Sequence, residues 1–271
     1  MKRKVSLTRV CLVFVLGLFC ADADVAAQDA ELVAAMTDIA ALTGEPSVLS
    51  AAGLTNAMDP LLTIENTSAF APADTRRRVV FVAGLDGDRA GADVAVEAVR
   101  WFKTVADANV RSEWSVSVLP FANPDTQQPF SFPPQDGFYN DPVMPETRYV
   151  WRWVTYQAPD LVIELRSGAE IDVVTGSKAH RSLMDALSNP NNGNGLGVVP
   201  TMVVTVPEGA ISQVLPSILA DVAERSPLRD QLQRRLVREP LAIARLLAER
   251  YPGTPGMAYI PSVAWVHTLR L

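Results

Sequence analysis

The sequence has 271 residues, of which 48% are hydrophobic and 20% charged, and it carries a net charge of −6 at neutral pH. These values are typical of an ordinary globular protein with one α/β domain. The acidic balance argues against nucleic acid and anionic membrane surfaces as partners.

The first 23 residues have the pattern of a secretory signal peptide. A basic start precedes the apolar run 10–20, and Ala21 and Ala23 place small residues at the two positions that a signal peptidase reads. Val25-Ala26-Ala27 offers a second cleavage site. Because eleven apolar residues are too short to span a bilayer, we expect cleavage after Ala23 and no integral membrane segment in the mature chain.

Export from a bacterium, to the periplasm or beyond, is therefore the predicted location. Both cysteines, Cys11 and Cys20, lie in the leader, so the mature chain of 248 residues would have no thiol and no disulfide. Removal of the leader takes away four basic residues and one acidic residue, which lowers the net charge to −9. The alternative is an ordinary buried N-terminal segment.

The next residues, 24–74, are predicted to be a helical and irregular lead-in. Apolar residues at helical spacing predict a helix over 30–42, and Gly44 supplies a stop signal. From 45 to 77 the pattern is mixed, with turn signals at Asp59-Pro60 and Ala71-Pro72.

Residues 75–225 are predicted to form the main domain. Apolar or alternating runs predict strands at 79–83, 114–119, 160–165 and 201–206. Helical spacing predicts helices at 92–106, 145–157, 178–187 and 209–224, with a loop at 121–141, a terminal turn at 166–168 and a polar loop at 189–197. Strands that alternate with helices predict a mainly parallel or mixed central sheet with helices on both faces.

The last segment, 226–271, is predicted to be helix-rich, with an amphipathic stretch at 241–250. Its end, 259–271, is apolar and contains Trp265. This ending suggests either a truncated reading frame or the first turns of a lost or fused helical domain.

Four stretches, in order along the chain, resemble the zinc carboxypeptidases. The octapeptide 82–89, VAGLDGDR, is similar to the strand and turn in which a Gly-x-His-Gly-x-Glu core supplies two metal ligands. Asn123-Pro124-Asp125 looks like the family's Asn-Pro-Asp. Residues 160–168 resemble the strand that ends in Leu-His-Ser-Gly with the third ligand, and 200–207 the strand with the catalytic glutamate. The resemblance implies a three-layer α/β sandwich and a zinc-dependent peptidase ancestry.

The residues at the family's functional positions are different in this chain. The two histidine positions hold Asp86 and Arg166, the glutamate ligand position holds Arg89, and the catalytic glutamate position holds Thr205. The arginine and the Asn-Arg pair that bind the substrate carboxylate in the family have no convincing counterpart in 124–141.

Arginine at ligand positions argues against a metal. Zinc needs imidazole, thiolate or carboxylate donors, whereas a guanidinium has no lone pair to offer and keeps its charge. At about 4 Å, unit charges interact by roughly 4 kcal/mol at an effective dielectric near 20, so two repulsions outweigh one retained carboxylate. We therefore expect no zinc cofactor, and without it the family's mechanism fails.

An ion-pair cluster is the predicted replacement for the metal. Asp86 and Arg166 would follow neighbouring strands and form a guanidinium–carboxylate pair, which requires the two side chains to lie within about 8 Å of each other. Neighbouring polar residues would extend this remnant of the ancestral site: Asp88, Arg89, Asn123, Asp125, Glu164 and Thr205.

Simpler interpretations stand beside this hypothesis. Asp86 and Asp88 suit a tight turn, and Arg166 suits a structural salt bridge. Ser167 lacks a nucleophile elbow, and the glycines of this turn do not have phosphate-loop spacing. The two histidines do not look like a ligand pair. Of two nearby tryptophans one is expected in the core, and for the other a core position is favoured over one along the loop cleft: His180, His267, Trp151 and Trp153.

Three functions remain open at this point. The first is a non-catalytic module that binds a peptide, a peptidoglycan fragment or a glycan, or that scaffolds a neighbouring domain. The second is a hydrolase of peptide or amide bonds with a non-standard residue set. The third is a structural domain that precedes a lost helical catalytic domain.

Overall fold

The computed structural model describes residues 30–68, 71, 74–125, 129–134, 144–175, 182–189, 198–222 and 224–249. The predicted leader, part of the loop at 121–141, the start of the helix at 178–187, most of the loop at 189–197 and the apolar end 259–271 lie outside these residues, as do both histidines. None of the described helices has both the length and the hydropathy needed to cross a bilayer. The chain divides into two compact units, one ending at Leu228 and the other beginning at Arg229.

Seven strands form one sheet in the first unit. In chain order they are β1 Ser47–Leu54, β2 Pro60–Asn66, β3 Arg77–Ala83, β4 Trp114–Leu119, β5 Leu161–Ser167, β6 Asp172–Thr175 and β7 Thr201–Val206. Their order across the sheet is β1-β2-β4-β3-β5-β7-β6. The four central strands β4, β3, β5 and β7 are parallel, and the flanking strands are antiparallel. The predicted mixed α/β class is confirmed.

Eight α-helices are described. In chain order they are α1 30–41, α2 Arg89–Thr104, α3 Ala108–Glu113, α4 Pro145–Tyr156, α5 Ser182–Ser188, α6 Leu215–Asp221, α7 Pro227–Leu236 and α8 Pro240–Ala248. The second unit contains most of α7 and all of α8.

Helices cover both faces of the sheet because side chains alternate along each central strand. On one face Val79, Phe81 and Ile163 pack with apolar residues of α1, α2 and α6 in one buried cluster. The opposite face carries Val80, Val82 and Glu164. The buried residues of α4 and α5 lie outside that first cluster. Continuous burial on both faces explains why β3 reads as an unbroken apolar run.

The lead-in contains the predicted helix, α1, and an antiparallel hairpin in the part that was predicted as irregular. β1 pairs with β2, and β2 joins the central sheet where Ile64 pairs with Val118. β1 is an edge strand in which only Ala52 is buried, so its sequence carries no alternation of apolar and polar residues. A half-exposed edge strand gives little hydrophobic signal, which is why the sequence pattern did not predict it.

Other elements differ from prediction at their ends. The predicted helix 209–224 is a 3₁₀ turn, Ile211–Gln213, followed by α6, because Pro216 favours the first turn of a new helix. Arg166 and Ser167, predicted in a turn, belong to β5. The short elements α3 and β6 were not predicted, and neither has a buried residue.

The two tryptophans of α4 are both buried. Trp151 is 3% exposed and its ring centre lies 6.1 Å from that of Phe132 in the long loop. Trp153 is 5% exposed and its Nε1 donates to Glu65 at 2.9 Å. The favoured interpretation, a core position for these rings, is therefore confirmed, and both rings serve packing.

A buried polar cluster ties the amino ends of the strands together. Glu45, whose side chain is 8% exposed, accepts hydrogen bonds from Asn66 and, at 2.5 Å, from Arg76. Arg76 also pairs with Asp74 at 2.6 Å. Nearby, Lys103 Nζ donates to Ile39 O at 2.8 Å and thereby holds α1 against the end of α2. Burial raises the pKa of Glu45 to about 7, although the charge and hydrogen bond of Arg76 act in the opposite direction.

This raised pKa predicts a pH-dependent stability. Because the folded-state pKa of about 7 lies above the ordinary glutamate pKa of 4.5, Glu45 contributes stability that is fully present below pH 4.5 and is lost as the pH rises through 7. The free energy of unfolding of E45Q relative to the wild type should therefore rise between pH 5 and pH 8, on the order of 3 kcal/mol, at about 1.4 kcal/mol per pH unit between the two pKa values.

Urea denaturation at each pH measures this difference, and it is the change with pH that carries the prediction. E31Q, which removes an exposed carboxylate on α1, is the matched control and should leave the pH profile as in the wild type. A constant difference between E45Q and the wild type from pH 5 to pH 8 would contradict the role of Glu45.

Candidate functional site

The predicted site residues lie together at the carboxyl ends of the parallel strands. The parallel strands β4, β3, β5 and β7 all end there, and β5 has β3 and β7 as its neighbours, with Leu165 paired to Ala83 and to Val204. Asp86 lies three residues beyond the end of β3, and Arg166 is the last residue but one of β5. In open α/β sheets the carboxyl ends of the strands are where ligand sites form.

The turn after β3 requires two glycines. Gly84 and Gly87 have φ of +63° and +77°, and the Gly87 N–H donates to Gly84 O at 3.2 Å. A Cβ on Gly84 would also lie 2.4 Å from the ring of Phe121. Asp88 then caps α2, its side chain accepting a hydrogen bond from Ala90 N at 3.1 Å. The turn chemistry expected for Asp88 is therefore present.

Arg166 lies between two carboxylates. Its Nη1 is 2.8 Å from Asp86 Oδ2 and 3.1 Å from Glu164 Oε1. Glu164 and Arg166 share a face of β5 because they are two residues apart. The predicted ion pair between Asp86 and Arg166 is present, and Glu164 belongs to the same cluster, which we call the Arg166 cluster.

Burial makes this cluster more than a surface salt bridge. The Glu164 side chain is 1% exposed, whereas those of Asp86 and Arg166 are 26% and 28% exposed. Burial by itself would lower the pKa of Arg166, but hydrogen bonds and charge from Asp86 and Glu164 outweigh it and raise that pKa. The guanidinium therefore keeps its charge and neutralises a carboxylate that is removed from water.

The remaining predicted residues make structural contacts, some of them between segments that are distant in the chain. Arg89 Nη1 pairs with Asp93 at 2.5 Å, one helical turn further along α2. The buried Asn123 donates to Leu85 O at 3.1 Å and so supports the turn after β3. Asp125 Oδ2 accepts from Ala57 N at 3.0 Å, in the β1–β2 turn. Thr205 lies opposite Arg166 on β7, with its methyl group against Gly168.

Two contributors were not predicted from the sequence. Asp93 follows Arg89 by four residues, a spacing that identifies helical ion pairs and was available as a signal. Phe121 contacts Gly84 across two strand ends, and no local pattern predicts such a contact.

The residues at the strand ends do not fit a zinc ion. Among the described residues, no group of three or more His, Cys, Asp or Glu side chains is arranged to hold a metal. The cation that approaches Asp86 and Glu164 is a guanidinium, whose nitrogens donate hydrogen bonds and offer no lone pair. Asp86 and Glu164 are thus already paired with the guanidinium of Arg166, which carries a positive charge as a metal ion would.

The electrostatic balance around the ends of β3, β4 and β5 is acidic. Among the described residues named above, five carboxylates and two guanidinium groups give a formal net charge of −3: Asp86, Asp88, Asp93, Asp125 and Glu164, with Arg89 and Arg166. This balance is unfavourable for a ligand that presents a free carboxylate and favourable for neutral or positively charged groups.

No family model matches the sequence, and no curated protein matches it. The fold is similar to a metallo-carboxypeptidase from Burkholderia cenocepacia, with a TM-score of 0.45 and 12% identity over 64% of this chain and 58% of that one. A provisionally assigned metallopeptidase from Shewanella baltica OS155 gives 0.44 and 15% over 71% and 90%. Murein-tripeptide amidase from Escherichia coli O157 gives 0.36 and 14% over 67% and 92%.

These similarities are partial. The chain spans 58% of the length of the Burkholderia protein, and its identity to each of the three is 15% or less. The α/β class assigned above rests on the strand order and pairing of this chain.

Replacement of Arg166 should be costly. R166M leaves the buried Glu164 carboxylate without its guanidinium partner, and we expect the free energy of unfolding to fall by about 3 kcal/mol. D86N removes a partner that is partly exposed and should cost about 1 kcal/mol or less. D93N, at an exposed i,i+4 pair, is the control and should cost about 0.5 kcal/mol or less.

Chemical denaturation at neutral pH measures all three variants. The double variant E164Q/R166M separates charge from packing, since a neutral amide at 164 no longer needs a counter-ion and should recover part of the stability lost in R166M. If R166M destabilises the E164Q background as much as it does the wild type, neutralisation of Glu164 is not the reason for the loss.

Proposed function

We propose that this chain is an exported, non-catalytic protein that binds a peptide, a peptidoglycan fragment or a glycan, or scaffolds a neighbouring domain, and that its strand-end site is a zinc-carboxypeptidase site whose metal has been replaced by an ion pair. The observation that carries the proposal is the Arg166 guanidinium, 2.8 Å from Asp86 and 3.1 Å from Glu164. Export is supported by the leader pattern of residues 1–23.

The Arg166 cluster supports binding better than hydrolysis. A metallopeptidase needs a Lewis acid that polarises the carbonyl and activates water, and three protein ligands to hold it. At these strand ends the side chains satisfy one another instead, which holds the turn after β3 against the end of β5. A preformed arrangement of side chains is a property that a binding protein uses directly.

The acidic balance of the site restricts the ligand. A substrate carboxylate, which the resemblance would place here, meets a formal charge of −3 around the ends of β3, β4 and β5. Sugar hydroxyls and amino groups meet hydrogen-bond acceptors of the right sign. We therefore expect the ligand to present neutral or cationic groups to this edge.

Zinc binding is the direct test. The mature wild-type chain should bind far less than one zinc per chain in equilibrium dialysis, because Arg89 and Arg166 stand at ligand positions of the resembled family. The variant D86H/R89E/R166H restores the family's His, Glu and His, and it should bind close to one zinc per chain. D86H/R89E, which keeps the guanidinium, is the matched control and should stay near the wild-type value.

Stoichiometric zinc on the wild type would overturn the proposal. A folded triple variant, judged by circular dichroism, that binds no zinc would show that these positions do not correspond to the family's ligands. The same wild-type preparation, incubated with muropeptides from a muramidase digest, should retain them without cleaving them. Cleavage would instead favour the hydrolase with a non-standard residue set.

Export has its own test. When the full chain is expressed in a Gram-negative bacterium, the periplasmic fraction should contain a protein that begins at Asp24, as measured by intact mass and N-terminal sequencing. A start at Gln28 would indicate the second cleavage site. Retention of residues 1–23 on a cytoplasmic protein would contradict export and leave the zinc experiment unaffected.

A further inference from the structure

A cavity of about 350 Å³ lies between α1, β2 and the segment that follows β4. Its walls are mainly apolar and include Leu32, Val33, Met36, Leu62 and Phe121, together with three prolines. The Arg166 cluster does not line it. Its volume falls at the small end of the range for small-molecule pockets, about 300–1,000 Å³.

Part of the cavity wall is anchored in the core. Met36 is fully buried and Leu32 is 7% exposed, so α1 is anchored in the core below the cavity floor. Proline rings restrict the backbone on two of the three sides. Phe121 lies between the cavity and Gly84, where its ring leaves no space for a Cβ. A preformed apolar pocket of this kind loses little entropy when a ligand enters it.

Two carboxylates lie in the otherwise apolar lining. Asp125 and Asp59 both line the cavity, and the turn that carries Asp59 is bound to Asp125 through Ala57 N at 3.0 Å. Asp59 is exposed, and its side chain forms no hydrogen bond or ion pair with any described residue. A carboxylate without a partner beside an apolar surface is suited to a cationic group attached to an apolar one.

The geometry points to a binding site for an apolar group that carries a primary ammonium: the side chain enters the cavity and the ammonium lies between Asp59 and Asp125. A free hydrophobic amine and a peptide that begins with an apolar residue share this chemistry. The cavity volume suits one branched aliphatic or aromatic side chain.

The chain's own N-terminal segment is a poor occupant. In the mature chain residues 24–29 precede α1, whose Leu32 and Val33 line the cavity, and they contain Asp24 and Asp29. Two negative charges would be brought towards two more, which is unfavourable. Charge complementarity therefore favours an external cationic ligand.

This site is separate from the one in the proposed function, so its test is independent of zinc binding. The probes are leucine amide and phenethylamine for free amines, and Leu-Gly-Gly amide for a peptide amino terminus. N-acetyl-leucine amide has the same side chain without the positive charge. Isothermal titration calorimetry or ligand-observed NMR with the mature full chain measures each dissociation constant.

The amines should bind, and acetylation should weaken binding about fivefold, roughly the upper limit for one exposed ion pair. D59N should weaken amine binding by about two- to fivefold for the same reason. V33W fills the cavity from a position that is 42% exposed and should abolish binding of every probe. V105W, at an exposed valine outside the cavity, is the matched control and should bind like the wild type.

The different probes and variants identify the kind of ligand that binds. Tight binding of Leu-Gly-Gly amide with weak binding of the free amines identifies a peptide amino terminus, and equal binding identifies any hydrophobic amine. Equal affinity for leucine amide and its acetylated form, or binding unaffected by V33W, would overturn the inference. Folding of V33W and V105W is checked by thermal denaturation, and D59N, an exposed and isosteric change, gives a second test.

Discussion

A carboxylate removed from water at the end of a central strand is the constraint on which the candidate site depends. Glu164 is 1% exposed and lies on β5, between β3 and β7. Such a charge is tolerated only when a cation and hydrogen bonds compensate its lost hydration. Arg166, two residues further on the same face, supplies both and reaches across to Asp86. The turn after β3 therefore has to hold Asp86 in place, which Gly84, Gly87 and Asn123 achieve.

At the amino end of the sheet, a buried carboxylate is compensated less completely. Glu45 also meets an arginine, Arg76, yet burial still raises its pKa to about 7. Arg76 donates hydrogen bonds to both Glu45 and Asp74, so the two carboxylates share one guanidinium group. Burial by itself would raise the pKa of Asp74, but the hydrogen bonds from Arg76 outweigh it and lower that pKa. The stability of the amino end of the sheet thus depends on the protonation of Glu45. At the carboxyl end, the ion pairs are made by Arg166, whose pKa is raised.

The sequence predicted some elements of the fold and of the site and did not predict others. Strands buried on both faces, such as β3 and β4, were visible as apolar runs, and so were the amphipathic helices α2 and α4. The pair Asp86–Arg166 was predictable because parallel neighbours end at one edge. The hairpin β1–β2 was not, since an edge strand with one buried residue has no periodic signal. The cavity beside Asp59 was not predictable either, because three distant segments form it.

The sequence by itself determined the class of the fold, the strand whose end carries the site and the residue types present there, because hydrophobic periodicity and donor chemistry are local properties. Tertiary structure decided which carboxylate is buried, which one faces solvent and which one pairs with which guanidinium. Glu164 and Asp125 are both acidic residues near strand ends, yet one is removed from water against Arg166 and the other accepts a backbone N–H from a remote turn. That difference depends on packing between segments far apart in the chain, which no local pattern encodes.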